Sequence, residues 1–204
     1  MIKAIATLQL MLCAAMLRAQ GTAHVPKQGL ADMLLDYLAV KYPQEDIDGD
    51  ILYVSVARQR MYHLRGRRML AEYTISTSAR GLGAQRDSER TPEGAHHVIQ
   101  RIGQGVPPGG VFRERVFIGE SAPPFGGNAD LITARILWLD GLEPGVNQGG
   151  DVDSRTRGIY IHGTPDEASL GRPSSHGCIR MRDADVIALF DHVPVGALVV
   201  ILDN

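Results

Sequence analysis

A histidine and a cysteine lie close enough along the chain to form a nucleophilic site. His162 ends a short apolar run, and Cys178 follows the residues Ser175-His176-Gly177. A free thiol has a pKa of about 8.5, so it is mostly protonated at neutral pH and needs a neighbouring base to act as a nucleophile. Imidazole can take the thiol proton and later return it to a leaving amine. We therefore predict nucleophilic attack on a carbonyl, with Cys178 as nucleophile and His162 as base.

Residues next to this pair are suited to bind substrate and stabilise charge. Gly177 lets the backbone approach a substrate closely, so the N–H groups of His176, Gly177 and Cys178 are candidates for an oxyanion hole. Arg180 shares one side of an extended segment with Cys178, and it could bind a carboxylate or lower the thiol pKa. No carboxylate stands beside these motifs to orient the base, so the Gly163 carbonyl is a candidate for that role.

Two other interpretations of the same residues stay open. Cys178 could be a small buried side chain without chemistry. Alternatively, His162, His176 and Cys178 could be three ligands of a zinc ion, although a fourth ligand and the usual paired spacing are missing. The missing ligands argue against a metal site.

Short apolar runs separated by glycine and proline dominate the rest of the chain and predict β-strands. Apolar residues at helical spacing predict helices over Leu30–Val40 and Asp183–Phe190. The predicted strands are Ile51–Ala57, Arg60–Leu64, Met69–Ser76, Ala95–Gln100, Val116–Ile118, Ile132–Leu139, Gly158–His162 and Ala197–Leu202. Turn residues between them favour hairpins and an antiparallel sheet, which would bring the strand ending at His162 towards Cys178.

Composition is that of one ordinary globular domain. The 204 residues are 44% hydrophobic and 22% charged, which argues against disorder and fibrous repeats. The net charge is −2, and no basic run interleaved with aromatic residues is present. Nucleic acid is therefore excluded as an expected partner.

The first residues have the character of an export signal. Lys3 precedes the apolar run Ala4–Leu17, and small residues follow. The run is shorter than the roughly 20 residues of a permanent membrane span, so we predict a signal peptide over residues 1–23. An uncleaved anchor or a lipoprotein signal ending at Cys13 are the alternatives. Cleavage would leave Cys178 as the only thiol of an exported, periplasmic or envelope protein.

Two motifs resemble the active-site signature of the L,D-transpeptidase catalytic domain family, also called the YkuD family. They are Ile161-His162-Gly163-Thr164 and Ser174-Ser175-His176-Gly177-Cys178-Ile179-Arg180-Met181. The likeness extends upstream through Thr91-Pro92-Glu93-Gly94 and covers about residues 51–204. It suggests an N-terminal helical segment over residues 24–48 and a catalytic domain over residues 49–204.

The resemblance implies a mainly β fold, a β-sandwich with one or two short helices, acting on peptidoglycan stem peptides. Cys178 would attack the carbonyl of the diamino acid at the third stem position, D-alanine would leave, and an amine would complete the transfer. The family's base maps to His162, its orienting carbonyl to Gly163, and other motif positions to His176 and Arg180. Tyr160, Ser175 and Arg180 are candidate substrate-binding residues.

Several functions share these motifs. The acyl group could pass to a second stem or to a wall-attached protein, or to water in an L,D-carboxypeptidase or a hydrolase that detaches wall proteins. A non-catalytic wall-binding or zinc-binding module is the alternative from another class. Sortases also carry His, Cys and Arg in this order, but with a longer spacing. Asp183 stands where the family usually has Asn, and we expect it to cap the following helix.

Overall fold

The computed structural model describes residues 27–123 and 130–204. The predicted signal peptide and Cys13 lie outside the described residues. Within those residues, no helix is long and apolar enough to cross a membrane.

The described residues form a mainly β fold with two α-helices, as predicted. Helix α1 spans Lys27–Lys41 and helix α2 spans Asp183–His192. The strands are β1 Asp50–Ser55, β2 Arg60–Arg65, β3 Arg68–Thr74, β4 Gly94–Ile102, β5 Gly110–Arg113, β6 Val116–Ser121, β7 Ile132–Gly141, β8 Tyr160–Gly163, β9 Ile179–Met181 and β10 Leu198–Leu202. Short 3₁₀ helices cover Gly150–Val152 and Glu167–Ser169.

All ten strands belong to one hydrogen-bonded sheet. Its main path runs β3-β2-β1-β10-β4-β7-β5-β6, and β7 also pairs with β8, which pairs with β9. The predicted antiparallel arrangement is right for most neighbours and wrong for two. The pairs β1–β10 and β8–β9 are parallel, because the last strand inserts between β1 and β4 and a long loop connects β8 to β9.

The sheet curls back on itself beside the nucleophile strand. Ser76, just after β3, donates its N–H to the Arg180 carbonyl at 3.0 Å, and the Arg180 N–H donates to the Ser76 carbonyl at 2.8 Å. These two bonds join the far end of the β8–β9 branch to the segment after β3. The curled sheet therefore surrounds a core, which corresponds to the interior of the predicted sandwich.

Two apolar clusters fill the two sides of the central strands. The larger one joins alternate residues of β1, β7 and β10 to α2 through Val186, Leu189 and Phe190, and it also contains Ile179 and Met181 of β9. The smaller one seats α1 on the opposite face of β1, β2 and β10. Because side chains alternate along a strand, these central strands are buried on both faces.

Two strands were missed by the sequence patterns. Strand β5 begins at Gly110, directly after the Pro107-Pro108-Gly109 turn, and β9 has only three residues. Neither is long enough for a period-two pattern to emerge. Strand β9 directly follows Cys178.

Candidate active site

The parallel pair β8–β9 brings the two sequence motifs together. Ile161 is in register with Ile179, and His162 is in register with Arg180. Cys178 immediately precedes β9 and therefore lies opposite Tyr160, two residues before His162. The predicted approach of His162 and Cys178 across a sheet thus arises from adjacent parallel strands.

His162 is buried and held in one tautomer. Its side chain is 1% exposed, and Nδ1 lies 2.7 Å from the Gly163 carbonyl oxygen. A carbonyl only accepts hydrogen bonds, so Nδ1 carries the proton and Nε2 keeps its lone pair. Burial lowers the pKa of His162 to about 4, partly opposed by the Gly163 contact, so the imidazole is neutral at pH 7.

Gly163 is packed too closely to carry a side chain. A Cβ at this position would collide with the Asp183 carboxylate and lie 2.7 Å from the Thr133 carbonyl oxygen. The backbone that orients His162 therefore needs glycine for space.

The Cys178 thiol lies between two backbone groups. Sγ accepts a hydrogen bond from the Tyr160 N–H at 3.4 Å and donates to the Gly158 carbonyl at 3.4 Å. Within the described residues these are its hydrogen-bond partners, and His162 is not one of them. Burial raises the thiol pKa to about 12, while the Tyr160 N–H opposes that shift. The resting pair is a neutral thiol beside a neutral imidazole.

A pocket of about 350 Å³ opens at the thiol. Cys178, Gly158 and His176 line one part of it. The remaining lining residues are Arg86, Asp87, Glu89, Thr156, Arg157 and Ile159. The pocket thus offers both signs of charge around the sulfur, as a substrate with amine and carboxylate groups would require.

Ser175 and Gly177 shape the loop before the nucleophile. Ser175 is 2% exposed, and its hydroxyl donates to the Cys178 carbonyl at 2.6 Å while accepting from the Gly177 N–H at 3.2 Å. The Ser175 hydroxyl thus uses its donor and an acceptor capacity within the loop, and its role in substrate binding stays a prediction. The Gly177 N–H is likewise occupied, whereas the N–H groups of His176 and Cys178 have no partner among the described residues.

Thr91 also holds the loop before Cys178 in place. Its hydroxyl donates to the Gly177 carbonyl at 3.0 Å and accepts from the Ser78 N–H at 3.0 Å. Gly177 itself has a φ of +127°, a conformation that favours glycine. The matched Thr91-Pro92 turn therefore acts on the nucleophile loop, a role that its sequence position did not reveal.

Arg180 is occupied by acidic side chains. It is 4% exposed, it forms an ion pair with Asp130, and it lies 3.8 Å from Asp166. Asp130 also hydrogen bonds to His176 Nδ1, and the contact with His176 together with the Arg180 charge outweighs burial and lowers the Asp130 pKa. The Arg180 charge is paired with Asp130 in this arrangement, and the binding of a substrate carboxylate by Arg180 stays a prediction. No motif in the sequence pointed to Asp130 as a partner of Arg180 and His176.

Tyr160 contributes its backbone and not its hydroxyl to the thiol. The side chain is buried, its hydroxyl accepts from Arg115 Nη1 at 2.8 Å, and its ring packs edge-on against Trp138. The side chain is not among those that line the pocket. The substrate-binding role of Tyr160 stays a prediction.

Asp183 does not cap the helix that it begins. The N-cap position is Arg182, and no side chain caps there. The Asp183 carboxylate instead accepts hydrogen bonds from the Gly109 N–H and the Thr133 hydroxyl, both at 2.5 Å. The Asp183 carboxylate therefore connects the loop before β5 and the start of β7, and it packs against Gly163.

Metal ligation is the remaining interpretation of the motifs. In residues 27–123 and 130–204, no three His, Cys, Asp or Glu side chains are arranged to hold a metal ion. His162, His176 and Cys178 are instead engaged by Gly163, Asp130 and Gly158 respectively.

Comparison with known families defines the class of this protein. The family model of the L,D-transpeptidase catalytic domain matches residues 49–201, and the chain belongs to this family. A 44-residue segment is 54% identical to the "Probable L,D-transpeptidase ErfK/SrfK" of Salmonella typhimurium, covering 22% of this chain and 14% of that protein. The "Probable L,D-transpeptidase YbiS" of Escherichia coli is 46% identical over 44 residues, with the same two coverages. The aligned part thus spans well under two thirds of either relative.

Solved structures with a similar fold carry the same family name. An L,D-transpeptidase from Mycobacterium smegmatis is 17% identical, with a TM-score of 0.46, over 75% of this chain and 58% of that one. L,D-transpeptidase 3 from Mycobacterium tuberculosis is 14% identical, with a TM-score of 0.48, over 76% and 61% respectively.

Proposed function

We propose that this chain is a cysteine L,D-transpeptidase that acts on peptidoglycan stem peptides through a thioester. One observation carries the proposal: Cys178 opens into a pocket one strand away from His162, a buried imidazole whose Nε2 is free to act as a base. Family membership supports the same conclusion.

The reaction begins when the thiol turns from the Gly158 carbonyl towards His162. Nε2 accepts the thiol proton while sulfur attacks the carbonyl of the diamino acid at the third stem position. The N–H groups of His176 and Cys178 donate to the developing oxyanion. The C–N bond then breaks, the imidazolium returns its proton to the nitrogen of D-alanine, and a thioester remains. No cofactor is needed.

Transfer of the acyl group regenerates the thiol. An amine of a second stem, or of a wall-attached protein, attacks the thioester and gives its proton to His162. The sulfur leaves and takes that proton back. Residues 49–204 form the catalytic domain in this proposal, residues 24–48 a helical segment, and residues 1–23 a signal for export to the periplasm or cell envelope.

Covalent labelling tests the nucleophile. A carbapenem should acylate Cys178 and increase the intact mass of the protein by that of the compound, because the β-lactam carbonyl traps a thiolate as an acyl-enzyme. Cys178→Ser should show no adduct, and His162→Ala should react at least about 100-fold more slowly. Equal labelling of the wild type and Cys178→Ser would exclude the proposal.

Product analysis separates transfer from hydrolysis. With purified muropeptides, we expect release of D-alanine together with cross-linked dimers, because an acceptor amine competes with water for the thioester. D-Alanine released without dimers would identify an L,D-carboxypeptidase, and the thioester mechanism would still stand.

A further inference from the structure

An arginine that the motifs did not include lies in the thiol pocket. Arg157 lines that pocket together with Cys178, and it stands directly before Gly158, whose carbonyl accepts from the thiol. Arg157 Nη2 donates to the Arg90 carbonyl at 2.7 Å, and Nη1 lies 3.4 Å from the Gly83 carbonyl. A Cβ at Gly177 would lie 3.3 Å from that same Arg90 carbonyl oxygen. The guanidinium is therefore anchored against the nucleophile loop.

Arg157 differs from its charged neighbours because its anchors are neutral. Arg86 pairs with Asp151 at 3.7 Å, and Glu89 pairs with Arg80 at 2.9 Å. Arg180, on the other side of the sulfur, is neutralised by Asp130. Among the described residues, Arg157 forms no ion pair within 4.0 Å. Asp87, which lines the same pocket, acts on the Arg157 charge from beyond that distance, so no carboxylate is in contact with the guanidinium.

We propose that Arg157 binds the C-terminal carboxylate of the donor stem, on the amino acid that leaves. This inference rests on the proposed function. That carboxylate lies one residue beyond the carbonyl that Cys178 attacks, a separation of about 3.8 Å along the chain. A side-chain carboxylate on the third residue would lie several bonds further from the sulfur. Arg157 is therefore the cation placed to recognise a free stem terminus.

The ligand chemistry follows from the guanidinium. Arginine keeps its charge at all relevant pH values, and its planar fork matches a carboxylate. Binding here would select stems that end directly after the scissile bond, and it would reject stems whose terminus is blocked or extended.

A comparison of substrates tests this without altering the fold. Wild-type enzyme is given a tetrapeptide stem with a free C-terminal carboxylate and the same stem as a C-terminal amide. We expect kcat/KM for thioester formation to be about 10- to 100-fold higher for the acid, the worth of one charge-assisted hydrogen bond. Arg157→Gln should lose this preference. Arg86→Gln, which alters a paired arginine of the same pocket, should keep it.

The outcomes distinguish this inference from the proposed function. Wild-type enzyme that cleaves the acid and the amide equally well would overturn the role of Arg157 and leave the transpeptidase intact. A preference that persists in Arg157→Gln would also overturn it. A preference for meso-diaminopimelate over lysine at the third position, lost in Arg157→Gln, would assign the arginine to the side-chain carboxylate instead. Failure to cleave either stem would count against the proposed function itself.

Discussion

The thiol and the imidazole of the candidate site are both neutral at rest. Burial raises the pKa of Cys178 to about 12 and lowers the pKa of His162 to about 4. A preformed thiolate–imidazolium pair would need the reverse order of pKa values. In the proposed mechanism the proton therefore moves as the sulfur attacks, with His162 as the general base.

Alkylation of Cys178 should report this state. Since only the thiolate reacts, the rate with iodoacetamide should rise about tenfold per pH unit from pH 7 to 10 without a plateau, because this range lies below the raised pKa. Quantitative mapping of the Cys178 peptide measures the rate. A plateau with a midpoint below pH 8 would indicate an ion pair and contradict the neutral one.

Residue types and spacing predict part of this site. His162, Gly163 and Cys178 were identified from their motifs, and the Nδ1 contact to the Gly163 carbonyl lies where the resemblance implied. The partners of Arg180 and Ser175 could not be predicted, because nothing local in the sequence shows them. Asp130 lies far from Arg180 along the chain, and only the fold brings them together.

At the level of elements, a turn between strands fixes the nucleophile loop. The Thr91 hydroxyl serves two buried backbone groups, the Gly177 carbonyl and the Ser78 N–H. An unpaired buried polar group costs about 1–3 kcal/mol. The turn before β4 therefore keeps Gly177 in its positive-φ conformation.

Replacement of Thr91 should test this link. Thr91→Val keeps the shape but removes the hydroxyl, so we expect a loss of about 1–3 kcal/mol in the free energy of unfolding and slower acylation of Cys178. Thr91→Ser retains the hydroxyl and should stay close to wild type in both. Urea unfolding and carbapenem acylation rates measure the two effects. Equal behaviour of the valine and serine variants would show that the hydroxyl does not hold the loop.

Strands and helices were predicted correctly where the apolar pattern in the sequence was long. Strand β7 and helix α2 follow the runs from Ile132 and from Asp183 almost to their ends. Strand β9 is defined by pairing with β8 and with Ser76, and three residues carry no periodicity of their own. The parallel pairing of β1 with β10 also could not be predicted, because it joins segments far apart in the sequence and the local turn residues do not determine it.

Across the described residues, three buried histidines have a lowered pKa, and the two whose pKa falls furthest, His96 and His162, contribute most to a pH-dependent stability. His96 contacts the Gly94 carbonyl and the Ser154 hydroxyl, and burial lowers its pKa to about 4, as it does for His162. In the unfolded chain both would titrate near their ordinary value of about 6.5. Between these values the unfolded chain binds more protons, so stability falls as the pH decreases.

Unfolding at several pH values tests this dependence. The free energy of unfolding should fall from pH 6.5 to pH 4 by up to about 1.4 kcal/mol per pH unit for each buried histidine. His96→Gln should make the slope shallower, whereas the same change at His192, on the surface at the end of α2, should leave it unchanged. An unaltered slope in His96→Gln would contradict burial as the cause.

The bonds between Ser76 and Arg180 join an early segment of the chain to a late one. Contacts between distant segments form slowly, since the intervening chain must first be ordered. Strand β10, at the end of the described chain, also lies between β1 and β4. A nascent or partly unfolded polypeptide therefore lacks the assembled pocket, and its cysteine has no positioned base. The pocket that the proposed reaction needs is thus assembled late in folding, and misfolded copies carry Cys178 as an ordinary thiol.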